Sequence, residues 1–118
     1  MNSTELKHGL AQFTGTEHYY QHPLSQMKYT DGVHFFAENA GGGAYWFLDI
    51  ASTELFLYRK YFAFLKISIR VRDGSAQLVA EDGNEKEIWT RHLKFTDCPD
   101  GCWEFYLTDG ILLLASEY

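Results

Sequence analysis

Proline and cysteine are both scarce: Pro23, Pro99, Cys98 and Cys102 are the only ones in 118 residues. With no Pro- or Ser-rich stretch, no internal repeat and no low-complexity tract, nothing marks a linker, and residues 1–118 read as a single domain. Two cysteines are too few for the disulfide framework of a small secreted fold, and a core of this size needs none. Long apolar runs are missing too. The most apolar stretch, Ala44 to Leu57, is broken by Asp49 and Glu54. It falls short of the ~20 apolar residues that cross a bilayer. The opening Met1-Asn2-Ser3-Thr4-Glu5 lacks the basic-then-apolar run of an export signal, so the expectation is a cytoplasmic protein with no membrane contact. Nor is there a P-loop, a dinucleotide fingerprint or a serine nucleophile elbow; Gly41-Gly42-Gly43 lacks the Lys-Ser/Thr of a phosphate loop and reads as a helix breaker.

Aromatic residues are plentiful, at 17% of the chain within a hydrophobic total of 46%, which excludes disorder and supplies a core. Acidic residues outnumber basic ones unevenly. Residues 1–72 hold six acids and seven Lys/Arg, whereas residues 73–118 hold ten acids and three Lys/Arg, for a net charge of −6. The exception is Arg59, Lys60, Lys66, Arg70 and Arg72, five bases with no acid among them. An acidic half repels nucleic acid and attracts a basic partner.

The pattern predicts an α+β fold, helical over about 1–58 and an antiparallel sheet over about 62–118. Asn2 or Ser3 caps a helix to about Gln12 with Leu6, Leu10 and Phe13 as its apolar stripe. Thr30-Asp31 caps a short second helix through Val33, Phe36 and Ala37, and a third begins near Ala44. From Phe62 the period becomes two, with Leu65, Ile67, Ile69 and Val71 alternating with polar residues. Asp73-Gly74 and Asp109-Gly110 are hairpin signals. They set Ile69 against Leu78, Lys66 against Glu81, Leu107 against Leu112 and Phe105 against Leu114. Trp89, Arg91, Leu93 and Phe95 share one face of a further strand, and Trp46 and Trp89 join the core. The expected architecture is a meander of four or five strands, each beside its sequence neighbour, with helices on the Ile67/Leu78/Trp89/Phe105/Leu114 face.

Several short motifs run through this frame: Phe13-Thr14-Gly15-Thr16-Glu17 with Tyr19-Tyr20, then Tyr29-Thr30-Asp31-Gly32-Val33, Ala37-Glu38-Asn39-Ala40-Gly41, Ala44-Tyr45-Trp46, Leu48-Asp49 and Ser116-Glu117-Tyr118. On these the chain resembles an uncharacterised family of short bacterial, plasmid and phage proteins, a domain of unknown function. It departs from that pattern in the extra Gly42-Gly43 and in Ala115, where proline is expected. The resemblance implies a setting in mobile genetic elements and no mechanism.

The candidate catalytic residues are His18, His22, His34, Asp31 and Asp49, all in the aromatic-rich segment 17–49 with Glu38. Histidines four apart suit zinc only on a regular helix, and Pro23 with the Tyr19-Tyr20 pair argues against one. No third and fourth ligand can be assigned, so no metal or cofactor is expected. Cys98 and Cys102 fit no common zinc spacing and read as free thiols. Paired carboxylates can serve as acid and base, yet no matched nucleophile or oxyanion hole accompanies these. The leading expectation is a non-enzymatic interaction factor of a mobile element that modulates a host or phage defence protein. Its basic partner would meet Glu81, Glu87, Glu104 and Asp109 on the sheet, and a homo-oligomer is compatible with it. The alternatives are a small hydrolase-like enzyme built on segment 17–49 and a single-strand nucleic-acid binder using residues 59–72, the latter disfavoured by the overall acidity.

Overall fold

The computed structural model describes all of residues 1–118. Helix α1 spans Ser3–Leu10, closed by a reciprocal cap in which Asn2 Oδ1 accepts from the Glu5 N–H and the Asn2 N–H donates to Glu5. Strands β1 (Tyr19–Gln21) and β2 (Lys28–Thr30) lead into α2 (Asp31–Asn39). Gly41, at φ +60°, ends that helix in the left-handed region. Helix α3 (Tyr45–Ile50) runs on through a π turn (Ala51–Leu55) into a 3-10 turn (Phe56–Lys60). The widening falls where Ser52 Oγ and Thr53 Oγ1 both donate to the Asp49 carbonyl, an alternative to the regular helical ladder. Strands β3 (Phe64–Arg72), β4 (Ser75–Glu81), β5 (Glu87–Leu93), β6 (Gly101–Thr108) and β7 (Ile111–Leu114) complete the chain, followed by a 3-10 turn over Ala115–Glu117.

The fold is α+β, and both predicted hairpins form. Asp73 and Gly74 have φ of 51° and 79°, and Asp109 and Gly110 have φ of 52° and 73°, the paired positive values that a two-residue turn of this hand requires. Ile69 faces Leu78, Lys66 faces Glu81, Leu107 faces Leu112 and Phe105 faces Leu114. Leu65, Ile67, Ile69 and Val71 are buried on the helix-covered face, where Phe36 of α2 and Phe47 of α3 meet Phe105 at 4.9 and 4.7 Å between ring centres.

The meander is corrected. The sheet has seven strands in the order β1-β2-β7-β6-β3-β4-β5, antiparallel except where β2 runs parallel to β7. Strand β6 does not lie beside β5. It pairs with β3 over eight residues, from Phe64–Thr108 to Val71–Gly101, and the connection from Lys94 to Asp100 crosses the Asp73–Gly74 turn to reach it. The physical reason lies in the side chains. Trp103, Phe105 and Leu107 bury fully only against the strongest apolar strand, while β5 carries Arg91 and mostly exposed residues, which suits an edge. Phe95 is not on a core face; β5 ends at Leu93 and Phe95 is 88% exposed on the crossover. Trp46 and Trp89 pack at the rim of the core, half-buried, and the buried tryptophan is Trp103. Arg91 pairs with Glu54 of the π turn.

Three of the motifs behind the family resemblance, those holding Thr16-Glu17, Thr30-Asp31-Gly32 and Glu117, converge on the start of α2. Thr16 Oγ1 accepts from the Asp31 N–H at 3.0 Å, and Asp31 Oδ2 accepts from the Glu17 and His18 amides at 2.9 and 3.3 Å. From the other side, Glu117 accepts from Thr30 Oγ1 at 2.6 Å, the Gly32 N–H at 3.1 Å and the Leu114 N–H at 3.0 Å. A Cβ on Gly32 would sit 2.5 Å from Leu114 Cδ1 and 2.6 Å from Glu117 Oε1, so a larger residue would push both side chains aside and loosen the Glu117 bonds. Glu117→Ala strips two donors of their acceptor at a helix N-terminus, and urea unfolding of that variant is expected to show a loss of about 1–2 kcal/mol.

Candidate interaction cleft

Local sequence places the five candidate catalytic residues in two separate clusters. His18, Asp31 and His34 lie around the start and outer face of α2. Asp31 is held by the amides above, and the Glu17 N–H leads the causes that lower its pKa from the usual 3.8, opposed by partial burial and helped by His18, Tyr20 and Thr16. His18 Nδ1 stands 3.6 Å from Asp31 Oδ1 and is mostly solvent-exposed. His34 stacks on Tyr20, with 4.3 Å between ring centres and 8° between planes, while Nε2 lies 3.5 Å from Glu38 Oε1. Glu38 Oε1 also accepts from the Tyr45 hydroxyl at 2.6 Å; burial first, then this bond, pushes the Tyr45 pKa up to about 12. The tyrosine therefore stays protonated as a donor. These contacts brace the helix.

The sign of the Asp31 effect fixes its pH dependence. A carboxylate whose folded pKa is depressed contributes stability above its unfolded pKa and loses it as pH falls through the folded value. Wild type should therefore exceed Asp31→Asn in melting temperature at neutral pH, with the gap closing below the usual 3.8. A gap that persists undiminished under fully protonating conditions would assign the effect to packing.

The second cluster joins His22 and Asp49. His22 is 4% exposed, and its Nδ1 accepts from the Leu24 N–H at 3.2 Å. The neutral ring therefore carries its proton on Nε2, which donates to Asp49 Oδ1 at 2.8 Å. Ser52 Oγ lies 3.3 Å from that same nitrogen. A proton relay needs serine and carboxylate at opposite ring nitrogens, so this trio braces Asp49 and does not activate Ser52. Asp49 itself keeps a side chain 70% exposed.

That carboxylate opens into a cleft of about 800 Å³ between α3 and the end of β5. Trp46, Ile50, Leu93 and Phe95 form its apolar walls, and Asp49, Arg91 and Asp97 its charged groups. Because Arg91 is engaged by Glu54, the carboxylates set the sign of the cleft. Asp97 is itself anchored, accepting from the Gly42 N–H at 2.7 Å.

Beside the cleft runs the free edge of β5, the last strand of the sheet. In a two-residue hairpin the closing pair Arg72–Ser75 is hydrogen-bonded, so Ala76, Leu78 and Ala80 turn their peptide groups towards β5. Their partners Leu93, Arg91 and Trp89 point inward, which leaves the N–H and C=O of Thr90 and His92 facing outward without a strand; a register shift between Ala80 and Glu81 leaves Ile88 unpaired and ends the alternation there.

The four carboxylates read from the sequence as a partner surface do not share one patch. Glu104 pairs with Lys66 at 3.0 Å and Glu81 with Arg70 at 3.8 Å on the uncovered sheet face. Glu87 is exposed at the start of β5, and Asp109 sits in the β6–β7 turn. The basic stretch is likewise engaged at Lys66, Arg70 and Arg72, the last with Asp73, leaving Arg59 and Lys60 without an acidic partner. Cys98 is buried, and burial first, then the Asp97 charge, raises its thiol to about 12; Cys102 is exposed on the opposite face. No three His, Cys, Asp or Glu side chains converge as metal ligands would, and no helix is long and apolar enough to cross a membrane.

A model of a family of unknown function, DUF6876, matches residues 4–118. The chain belongs to DUF6876. That match spans both the α2 knot and the cleft. Comparison with curated proteins found no match, and comparison with solved structures found none. For this DUF6876 chain the functional argument therefore rests on its own residues. Sequence reasoning missed Phe95, Trp46 and Asp97 as cleft residues because periodicity placed the aromatics in the core. One signal was present: the seven residues from Lys94 to Asp100 are long for a hairpin but suit a crossover.

Proposed function

We propose that this domain is a non-enzymatic protein-interaction factor that takes up an extended segment of a partner along β5, with alternate side chains entering the Trp46–Phe95 cleft. The observation that carries the reading is the juxtaposition of an unpaired strand edge with an apolar cleft whose carboxylates, Asp49 and Asp97, have no Lys or Arg partner. Backbone pairing to such an edge supplies affinity and the neighbouring pocket supplies selectivity. Glu87, exposed at the first residue of the strand, adds a carboxylate, while Lys86 before it and Lys94 after the strand confine the acidic character to the cleft. The segment that fits is basic, with Lys or Arg alternating with apolar residues. The mobile-element setting suggested by the resemblance directs the search for that segment to host and phage defence proteins.

Selection from a library of short displayed peptides tests this. Enriched sequences should alternate Lys/Arg with aromatic or aliphatic residues. They should lose binding to Thr90→Pro, which removes an outward N–H while sparing the ladder to β4. Enrichment of acidic peptides, or full binding by that variant once circular dichroism shows it folded, would contradict the proposal.

A hydrolase-like reading has one observation in its favour, the exposed and His22-braced Asp49 in the cleft. Turnover of an ester or phosphoester panel that disappears in Asp49→Asn would replace the interaction reading with that one.

A further inference from the structure

A second cleft, of about 570 Å³, lies at the opposite end of the sheet from the Asp73–Gly74 turn. Its walls come from Phe56, Phe62, Leu65 and Leu107, and its polar groups are Gln26, Lys28, Arg59, Thr108 and Asp109. The Arg59 guanidinium is held in place twice. Nη1 donates to the Phe56 carbonyl at 2.9 Å, and its central carbon stands 4.1 Å from the centre of the Phe56 ring. Such a guanidinium is pre-organised, so less side-chain entropy is lost when it binds. Thr108 Oγ1 donates to the Ala63 carbonyl at 2.9 Å, tying the far wall to the strand end. Lys28 is fixed through its backbone, whose N–H donates to the Gly110 carbonyl at 3.0 Å.

Lys66, Arg70, Arg72 and Arg91 each have an acidic partner, whereas Lys28 and Arg59 have none, in a chain whose net charge is −6. Two unpaired cations face one apolar-walled cleft of ligand size. We infer that this cleft is a binding site for a small organic anion, a phosphate or carboxylate group carried on a flat apolar body. The anionic group meets Lys28 and the free edge of the Arg59 guanidinium, and the body lies against Phe62 and Ile111, the half-exposed apolar side chains of the cleft. Asp109, on the rim, opposes the anion and favours ligands whose body also offers a hydrogen-bond donor. The site lies apart from the β5 edge, so its occupancy does not depend on the interaction reading.

Titrating isotope-labelled protein with phenyl phosphate, benzoate and inorganic phosphate, followed by amide NMR shifts, tests the inference. Phenyl phosphate or benzoate should perturb amides around residues 56–63 and 107–111. The better of the two should bind about tenfold more tightly than inorganic phosphate, because only it uses the apolar walls. Comparing the two aromatic probes tells a phosphate site from a carboxylate site. Lys28→Gln and Arg59→Gln should each weaken binding about three- to tenfold, the scale of a partly screened charge-assisted contact. Asp109→Asn should tighten it, and Lys60→Gln, on the same turn but outside the cleft, should leave it unchanged. Lys28→Gln alters only an exposed side chain and keeps the test valid if the Arg59 variant unfolds. Shifts scattered outside the cleft, no saturation by either aromatic probe, or equal weakening by Lys60→Gln and Lys28→Gln would overturn the site.

Discussion

Phe105→Ala is expected to lower the unfolding free energy by about 3–5 kcal/mol, the range of a large buried aromatic truncated in a close-packed core. Phe105 is fully buried on β6, packed by Phe36 of α2 and Phe47 of α3, and paired across the sheet with Ile67 and Leu114. Its removal leaves a void where both helices meet the sheet, and neither helix can move in without losing its other contacts. Trp89→Ala should lose clearly less, because that ring lies half-buried on the edge strand. Denaturant unfolding of both variants checks the order, and a larger loss at Trp89 would contradict the placement of β5 at the edge.

Phe95→Asp is expected to weaken binding of a selected basic peptide by about thirtyfold or more, the scale of an aromatic hot spot at the centre of an interface. The same substitution should leave stability within about 0.5 kcal/mol, since the ring is 88% exposed and holds nothing in place. That split between binding and folding separates Phe95 from Trp103, where any polar substitution would damage both. Isothermal titration and thermal melts on one preparation decide it; parallel losses in the two would make Phe95 a structural residue.

Much of the sheet is legible in the sequence because two signals agree at each hairpin. Asp73-Gly74 fixes the turn, and the apolar alternation on both sides of it allows a single register, so Ile69–Leu78 and Lys66–Glu81 follow. Strand order is not legible. Alternation shows which face of β6 is buried but not which neighbour it chooses, and the choice of β3 over β5 depends on competing packing that no local window contains. Strands β1 and β2 escape notice for a simpler reason. Each has three residues, too few to display a period, and they are held by tertiary contacts such as the Tyr20–Tyr29 stack and the bond from Lys28 to Gly110.

The candidate site divides along the same line. The spacing of His18, His22 and His34 suggests one chemical centre, yet His22 turns into the core below α3 while the other two stay with α2. Asp49 stands out in the sequence by its place among aromatics, and the structure does put it in a cleft. Its companions Phe95 and Asp97 come from a crossover more than 40 residues later, and sequence alone cannot bring the two segments together. Lys66 illustrates how register and pairing differ. It lies opposite Glu81 as expected but makes its ion pair with Glu104 on the other neighbouring strand, the first cause of its raised pKa.

The central claim is that β5 accepts a partner strand, and amide hydrogen exchange resolved by NMR tests it most directly. With a selected basic peptide bound, the outward-facing amides of Thr90 and His92 should slow markedly, while those of Trp89, Arg91 and Leu93, already bonded to β4, should change little. Such alternation along one strand is the signature of an added strand. Protection confined to α2 around His34, or to the Lys66–Glu104 face of the sheet, with β5 unchanged, would contradict the account.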